Sequence, residues 1–222
     1  VIQRGNNRQA SFFTEQDYQF YLDCLYDACQ RYGVVVHAYV LMTNHVHLLM
    51  TPDKKDSISL TMQSMGRRYV QYINKEYRRT GTLWESRHKA SLVDADNYLL
   101  TCMRYIEMNP VRAKMVEHPN QYPWSSYVVN AQGAISDLIN PHPLYLDLGR
   151  SYEVRLNTYR ELFLLPMNGN LLSDIRDSLN QELVLGNSDF KDKIEVKTQR
   201  QTRKGMPGRP KVEEEQAEYF VW

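Results

Sequence analysis

The stretch that decides the fold is residues 34–52, "VVVHAYVLMTNHVHLLMTP". It contains two apolar, β-branched runs that are joined by the polar pair Thr43 and Asn44, and such runs predict two antiparallel strands with a tight turn. His45 and His47 stand in the second run. Because residues two apart in a strand project from the same face, both imidazoles are expected on one side of the strand, with Val46 and Leu48 on the other.

Helices and further strands are predicted on both sides of these two strands. "VIQRG", residues 1–5, ends a strand before the turn residues Asn6 and Asn7. Residues 82–93, "TLWESRHKASLV", predict another strand. Apolar residues at helical spacing predict helices over 14–32, from Ser57 to about Arg79, and from Asp94 or Asp96 to Met108, where Pro110 ends the helix.

The order of these elements predicts the fold class. Strand, helix, strand, strand, helix, strand is the ferredoxin-like βαββαβ arrangement. We therefore expect an α+β fold in which an antiparallel sheet carries helices on one face. We assign residues 1–130 to this domain, 131–196 to a partly helical accessory region and 197–222 to a basic tail that is flexible when unbound. Since the chain starts at Val1 inside a strand, we expect the N-terminus of the domain to be incomplete.

The amino-acid composition indicates the cellular compartment of the protein and the class of its binding partner. The three cysteines, Cys24, Cys29 and Cys102, have no CxxC spacing, which indicates a reducing compartment and argues against a disulfide scaffold. No run of about 20 apolar residues predicts a membrane span. The formal net charge is +1, but basic residues cluster within 57–80 and 190–211. Local basic patches are typical of proteins that bind phosphates, although solvated helix surfaces produce the same pattern.

The histidine pair is a candidate metal site, with a structural pair of imidazoles as the alternative. Two imidazoles side by side fit one divalent ion. Downstream, "RYIEMNPVRA", residues 104–113, places Tyr105 and Asn109 four residues apart on one helical face. If that helix lies against the histidine strand, Asn109 can offer its amide oxygen to the ion and Tyr105 its hydroxyl beside it. His37 and His88 are alternative ligands, although His88 is better suited to DNA contact.

These motifs resemble a known family. "MTNHVHLLM", residues 42–50, resembles the His-hydrophobic-His signature of the HUH endonuclease superfamily. With "RYIEMNPVRA" it makes the chain similar to the single-tyrosine transposases of insertion sequences, and most of all to the REP-associated tyrosine transposases. "IQRGNNRQ", "LWESRHKASLV" and "YPWSSY" resemble that family as well, so the resemblance covers about residues 1–130.

The resemblance implies a mechanism and a site. A Mg²⁺ or Mn²⁺ ion would be held by His45, His47 and Asn109, which stands where the family has glutamine or asparagine. Tyr105 would attack single-stranded DNA near a hairpin and form a covalent 5′-phosphotyrosine intermediate. The family further implies a prokaryotic protein that acts in the cytoplasm at the nucleoid, as a monomer or a homodimer.

Cationic side chains near these motifs are candidate DNA contacts. The set consists of Arg4, Arg67, Arg68, Arg78, Arg79, Arg87, His88, Arg112 and Arg209. Arg209 belongs to "GMPGRPK", residues 205–211, which resembles the AT-hook that lies in the minor groove of duplex DNA, and a plain basic linker is the alternative. Trp84 and Trp124 offer flat rings for bases, but core packing is the alternative for both and is favoured for Trp124.

Two other functions fit parts of the pattern. A DNA-binding regulator on the same fold would have lost cleavage, and the complete set of His45, His47 and Tyr105 argues against that loss. A metal-dependent phosphodiesterase would use an activated water and release free fragments instead of a protein-linked product.

Overall fold

The computed structural model of the chain describes residues 1–205. Its sheet consists of β1 (Ile2–Arg4), β2 (Val34–Met42) and β3 (His45–Pro52), in the order β1-β3-β2, with β3 antiparallel to both neighbours. Met42 pairs with His45 across the turn, so the predicted pair of strands is confirmed. Arg209 and the AT-hook-like segment lie outside the described residues.

Helices make up most of the remaining described chain. Those up to and including residue 130 are α1 (Glu15–Tyr32), α2 (Ser57–Glu76), α3 (Ala95–Glu107), α4 (Asn109–Arg112) and α5 (Tyr127–Asn130). Those after it are α6 (Pro143–Leu146), α7 (Tyr152–Glu161), α8 (Gly169–Gln181) and α9 (Ser188–Thr198). Among residues 1–205, no helix is both long and apolar enough to cross a membrane.

Helix α1 sets the order of the strands. It begins with a capping box between Thr14 and Asp17 and ends at Gly33, whose φ of +65° is the left-handed conformation that glycine adopts at low cost. The helix returns the chain to a strand parallel to β1, and β3 then enters between them. This is the split βαβ unit of the predicted ferredoxin-like arrangement.

Helices α1 and α2 cover one face of the sheet, as predicted. Val46 and Leu48 of β3 are buried there with Leu25 of α1 and with Met65 and Tyr69 of α2. Because these two strand residues point toward α1 and α2, the histidines that alternate with them point toward the opposite face.

The opposite face is also covered, which the prediction of helices on one face did not include. Ala38, Val40 and Leu49 of the sheet are buried there against Met103 and Ile106 of α3. The reason is that β2 is apolar on both faces, so that both must be removed from water. The α+β class is confirmed, and the sheet lies between two helical layers.

The strand predicted over 82–93 is not formed. This segment runs antiparallel to β1 through two isolated bridges, Ile2 to Lys89 and Gly5 to Trp84. Five residue steps separate Trp84 from Lys89, but only three separate Ile2 from Gly5. The two surplus residues bulge away from β1 and interrupt the ladder, which leaves an irregular edge next to β1.

The accessory region packs onto the α3 side of the sheet. Tyr145 of α6, Tyr159 of α7, Ile175 of α8 and Leu185 are buried in the same cluster as Met103. The first residues of the predicted tail are in contact as well, because the carbonyl oxygen of Thr202 accepts a hydrogen bond from Val184 N–H.

Candidate active site

A cavity of about 270 Å³ opens beside the histidine strand, between β1, β3 and helices α3, α4 and α8. Its lining consists of Ile2, Arg4, Met42, His45, His47, Tyr105, Asn109, Arg112, Ala113, Arg176, Leu179 and Asn180. The histidine pair, Tyr105 and Asn109, which the sequence analysis placed in one site, therefore share one cavity.

The two histidines lie side by side. Their ring centroids are 5.2 Å apart and the ring planes are nearly perpendicular, at 81°. His45 Nδ1 is 2.8 Å from Asn44 Oδ1, which can only accept, so Nδ1 carries the proton and Nε2 keeps a free lone pair. A hydrogen bond of this kind fixes the tautomer of a metal-binding imidazole.

Burial keeps both imidazoles neutral. Burial, with a smaller contribution from the Arg4 charge, lowers the pKa of His45 to about 4. The pKa of His47 lies well below its ordinary value, because the ring is buried and because His45 is its neighbour. At neutral pH each ring therefore has an unprotonated nitrogen that can bind a cation.

Tyr105 is delivered to the cavity by the last turns of α3. Its ring centroid is 5.9 Å from that of His47, and the guanidinium carbon of Arg112 is 4.1 Å from the Tyr105 ring centroid. Arg112 Nη1 also donates to the carbonyl oxygen of Tyr105 at 2.8 Å. This cation holds the ring in place from one side and lies where it can stabilise negative charge on the phenol.

Helix α3 ends at Glu107, one residue before the predicted end at Met108, and a separate one-turn helix, α4, begins at Asn109 with Pro110 in its first turn. Proline has no N–H to donate to the carbonyl of Ile106, four residues earlier. Asn109 Nδ2 replaces it and donates to the carbonyl oxygens of Tyr105 and Ile106, both at 3.1 Å. Because the amide nitrogen is used in this way, the oxygen of Asn109 is the atom left for a ligand.

The residues at the cavity fit a divalent ion. Within residues 1–205, no group of three or more His, Cys, Asp or Glu residues can hold a metal, so a third protein ligand has to be an amide or hydroxyl oxygen. Two neutral imidazoles and the amide oxygen of Asn109 form such a set. They would leave coordination positions for phosphate oxygens and water, as Mg²⁺ and Mn²⁺ require.

His37, the alternative ligand, is engaged elsewhere. Its Nδ1 is 2.7 Å from the carbonyl oxygen of Asn140, and its Nε2 is 2.9 Å from Thr51 Oγ1. Both ring nitrogens are therefore used within the fold. His88, the other alternative, lines a larger neighbouring cavity of about 530 Å³, which it shares with His47 and Tyr105.

Only some of the residues predicted to contact DNA lie at or next to the cavity that contains the histidines. Arg4 and Arg112 line the active-site cavity, and Arg87 lines a third cavity that also contains Arg4. The four remaining described arginines, Arg67, Arg68, Arg78 and Arg79, belong to α2 or follow it, on the side of the sheet opposite the histidines.

Two of those arginines make contacts within the chain. Arg68 forms an ion pair with Asp27 at 2.8 Å, and Arg79 lies over the ring of Phe13. Trp84 is buried next to Tyr21 and Tyr69.

Glu107 was not identified from the sequence. Its side chain is fully buried, and its carboxylate accepts hydrogen bonds from Ser126 Oγ, Asn130 Nδ2 and Tyr159 Oη at 2.6–2.8 Å. Burial raises its pKa to about 7, against the lowering effect of these three donors. Its place four residues after the apolar Met103 was a local signal that Glu107 is buried.

Comparisons with known proteins bear on the family of the chain. Residues 1–109 match the family model described as "Transposase IS200 like". A curated protein of Haemophilus influenzae, assigned as a REP-associated tyrosine transposase, is 26% identical over 132 residues, which cover 54% of this chain and 74% of that protein.

A solved REP-associated tyrosine transposase, bound to a REP hairpin, is 17% identical with a TM-score of 0.49. The alignment covers 63% of this chain and 85% of that one. Residues 1–109, the part of the chain that is similar to the IS200-like transposase family, carry both histidines, Tyr105 and Asn109.

Proposed function

We propose that this protein is a transposase that cuts single-stranded DNA near a hairpin and holds one end as a 5′-phosphotyrosine on Tyr105. The observation that supports the proposal best is the cavity shared by Tyr105, His45, His47 and Asn109. A phenol beside a cation site is the arrangement that attack on a phosphodiester requires, because charge develops on both the phenol oxygen and the phosphate.

The proposed step exchanges one phosphodiester bond for another, so the energy of the bond is conserved. The Tyr105 oxygen attacks phosphorus and loses its proton, the bond from phosphorus to the 3′ oxygen breaks, and that oxygen leaves as a hydroxyl after taking up a proton. The 5′ phosphate is then linked to the protein, and a free 3′ hydroxyl can reverse the step on another strand without ATP. The guanidinium carbon of Arg112 is 4.1 Å from the Tyr105 ring centroid, so this cation would help to offset the negative charge that develops on the phenol oxygen during attack.

His45, His47 and Asn109 would hold the divalent ion. When bound, it supplies charge neutralisation at the phosphate oxygens. The protein prepares for it by keeping both imidazoles neutral and by turning the Asn109 oxygen away from the backbone carbonyls.

The test is the change Tyr105→Phe. Incubating the protein with Mn²⁺ and a labelled single-stranded oligonucleotide that contains a hairpin should give a protein-linked band in a denaturing gel. Tyr105→Phe should abolish this band and leave DNA binding within about twofold, since only the hydroxyl is removed. A second variant, His47→Ala, should abolish the band in the same way, because it removes one of the proposed metal ligands.

The outcomes separate the alternative functions. Free fragments without a protein-linked band would indicate hydrolysis by water and overturn the covalent mechanism. Binding without any cleavage would indicate a DNA-binding regulator. A protein-linked band that survives Tyr105→Phe would show that another residue is the nucleophile.

A further inference from the structure

Helix α8 forms part of the wall of the active-site cavity, although it lies outside the residues that match the family model. Arg176, Leu179 and Asn180 of α8 line the cavity together with Tyr105 and the two histidines. The C-terminal region therefore contributes side chains to the site in addition to covering the sheet.

Helix α8 is held in place by the segment that runs along β1. Lys89 Nζ donates to the carbonyl oxygen of Asn180 at 2.8 Å, and Ser91 Oγ donates to that of Ser178 at 2.7 Å. Ile175, one residue before Arg176, is 2% exposed and lies in the core against α3. Arg176 itself is exposed, so its guanidinium is presented to the cavity from a fixed backbone.

The lining of the cavity carries an unbalanced positive charge. Among the described residues that line it are the three arginines Arg4, Arg112 and Arg176, and none is Asp or Glu. Arg112 Nη2 is buried without a hydrogen-bond partner in residues 1–205. The pKa of Arg112 is lowered chiefly by burial and further by the Arg176 charge. Cations that converge without a carboxylate form a site for anions.

The charge continues beyond the active-site cavity. An adjoining cavity of about 260 Å³ is lined by Arg87, Lys89 and Glu85, and both cavities share Arg4 and Asn180. The two cavities therefore adjoin each other between α8 and the edge of the sheet. A DNA strand with its scissile phosphate at Tyr105 carries another phosphate one nucleotide away on each side, so the two cavities together have cations for more than the reacting phosphate.

We propose that Arg176 of α8 binds the phosphate next to the scissile one, so that α8 and the edge of the sheet form the two walls of a channel for single-stranded DNA. The inference rests on the proposed function, because it takes DNA as the substrate. It assigns to the region after residue 109 a direct role in substrate binding.

The experiment measures binding in the Tyr105→Phe protein, which cannot form the covalent link. Affinity for a fluorescent single-stranded oligonucleotide is determined between 50 and 200 mM salt, with and without Arg176→Gln. Loss of one phosphate contact should reduce the slope of log affinity against log salt by about 0.7 and the affinity by about tenfold. Arg176→Lys should restore most of the slope, because it restores the charge.

Arg150→Gln is the matched control. Arg150 is exposed, lies between α6 and α7, and lines neither cavity, so the same change of charge should leave the slope unaltered. Equal slopes for Arg176→Gln, Arg150→Gln and the parent protein would overturn the inference. Equal losses for both glutamine variants would overturn it too, since they would show an effect of net charge alone.

Adduct formation by the protein with Tyr105 intact separates the inference from the proposed function. If no protein-linked DNA forms while Arg176→Gln still reduces the slope of log affinity against log salt, the covalent mechanism is wrong and the inferred channel is supported. If the adduct forms normally in Arg176→Gln and the slope is unchanged, the covalent mechanism stands and the channel is wrong.

Discussion

Asn109 divides two tasks between the two atoms of its amide. Its nitrogen donates to the carbonyl oxygens of Tyr105 and Ile106, and that of Ile106 lacks its usual helical donor because residue 110 is proline. Its oxygen is thereby left for the cavity that it shares with His45 and His47. The dipeptide Asn109-Pro110 thus begins α4 and leaves the amide oxygen of Asn109 for the proposed metal ion.

A change of Asn109 to Asp tests this division. The carboxylate keeps an oxygen for the metal but cannot donate, and it places negative charge against two carbonyl oxygens. We expect the free energy of unfolding to fall by about 1–2 kcal/mol, while metal binding is retained. Urea denaturation and Mn²⁺ titration measure the two effects separately. Asn109→Ala should lose both stability and metal binding, and unchanged stability in both variants would show that the amide does not support the helix.

Gly5 follows β1 where the chain passes close to itself. A Cβ atom at Gly5 would lie 2.3 Å from the carbonyl oxygen of Gln9 and 2.6 Å from Ser11 Oγ. The backbone N–H of Gly5 donates to the carbonyl oxygen of Asn44, beside His45. A side chain at this position would therefore disturb the turn that carries the histidine pair.

We expect Gly5→Ala to lower the free energy of unfolding by about 1–3 kcal/mol, the usual cost of overpacking. Gly66→Ala in α2 is the control, since nothing lies within 4 Å of a Cβ added there. This second change should stabilise the protein by about 0.5–1 kcal/mol, because alanine favours a helix more than glycine does. Thermal denaturation followed by circular dichroism compares the two variants. A stability change of the same sign in both would contradict the steric clash expected at Gly5.

At the scale of elements, α3 connects the active site to the rest of the molecule. The helix presents Tyr105 to the cavity, and Glu107 fixes it from another side by binding Ser126, Asn130 of α5 and Tyr159 of α7. A buried carboxylate with three donors is stable only while all of its partners are in place. The position of Tyr105, the proposed nucleophile, therefore depends on segments that follow residue 109 in the chain.

Glu107→Ala should leave the Tyr159 hydroxyl and one N–H of Asn130 Nδ2 without an acceptor in the core, whereas Ser126 Oγ can still donate to the carbonyl oxygen of Tyr39. We expect a loss of about 3 kcal/mol or more in the free energy of unfolding, since each buried unpaired donor is costly. Glu107→Gln, which keeps the shape and one acceptor, should lose less than half of that. Urea denaturation followed by tryptophan fluorescence gives both values. The control Glu117→Ala, at an exposed position, should change stability by less than about 0.5 kcal/mol.

At the scale of the whole molecule, the sheet is the middle of three layers. One side is covered by α1 and α2 and the other by α3 together with the helices after residue 130. The second side includes Tyr145, Tyr159, Ile175 and Leu185, all of which are buried. The region that contains every proposed catalytic residue therefore shares its core with the region that follows it.

A chain that ends at Asn130 tests this dependence. It retains both histidines, Tyr105 and Asn109 but exposes the apolar surface of α3. We expect it to lose cooperative thermal unfolding and to bind the dye ANS, because that surface has no other cover. Calorimetry and dye fluorescence, with the 222-residue chain as the reference, measure the outcome. A midpoint of unfolding equal to that of the full chain would show that residues 1–130 fold independently.

The sequence by itself determined strands β2 and β3, helices α1 to α3 and the direction in which their side chains project. The two-residue period of β3 places His45 and His47 on one face, and helical spacing places Tyr105 and Asn109 together, because both patterns depend only on local backbone geometry. Tertiary structure alone decided what covers each face: the second helical layer, the interrupted edge at 82–93, and the approach of Arg176 to the active site. Such contacts depend on which of several apolar surfaces meet across long stretches of chain, and local periodicity does not specify that choice.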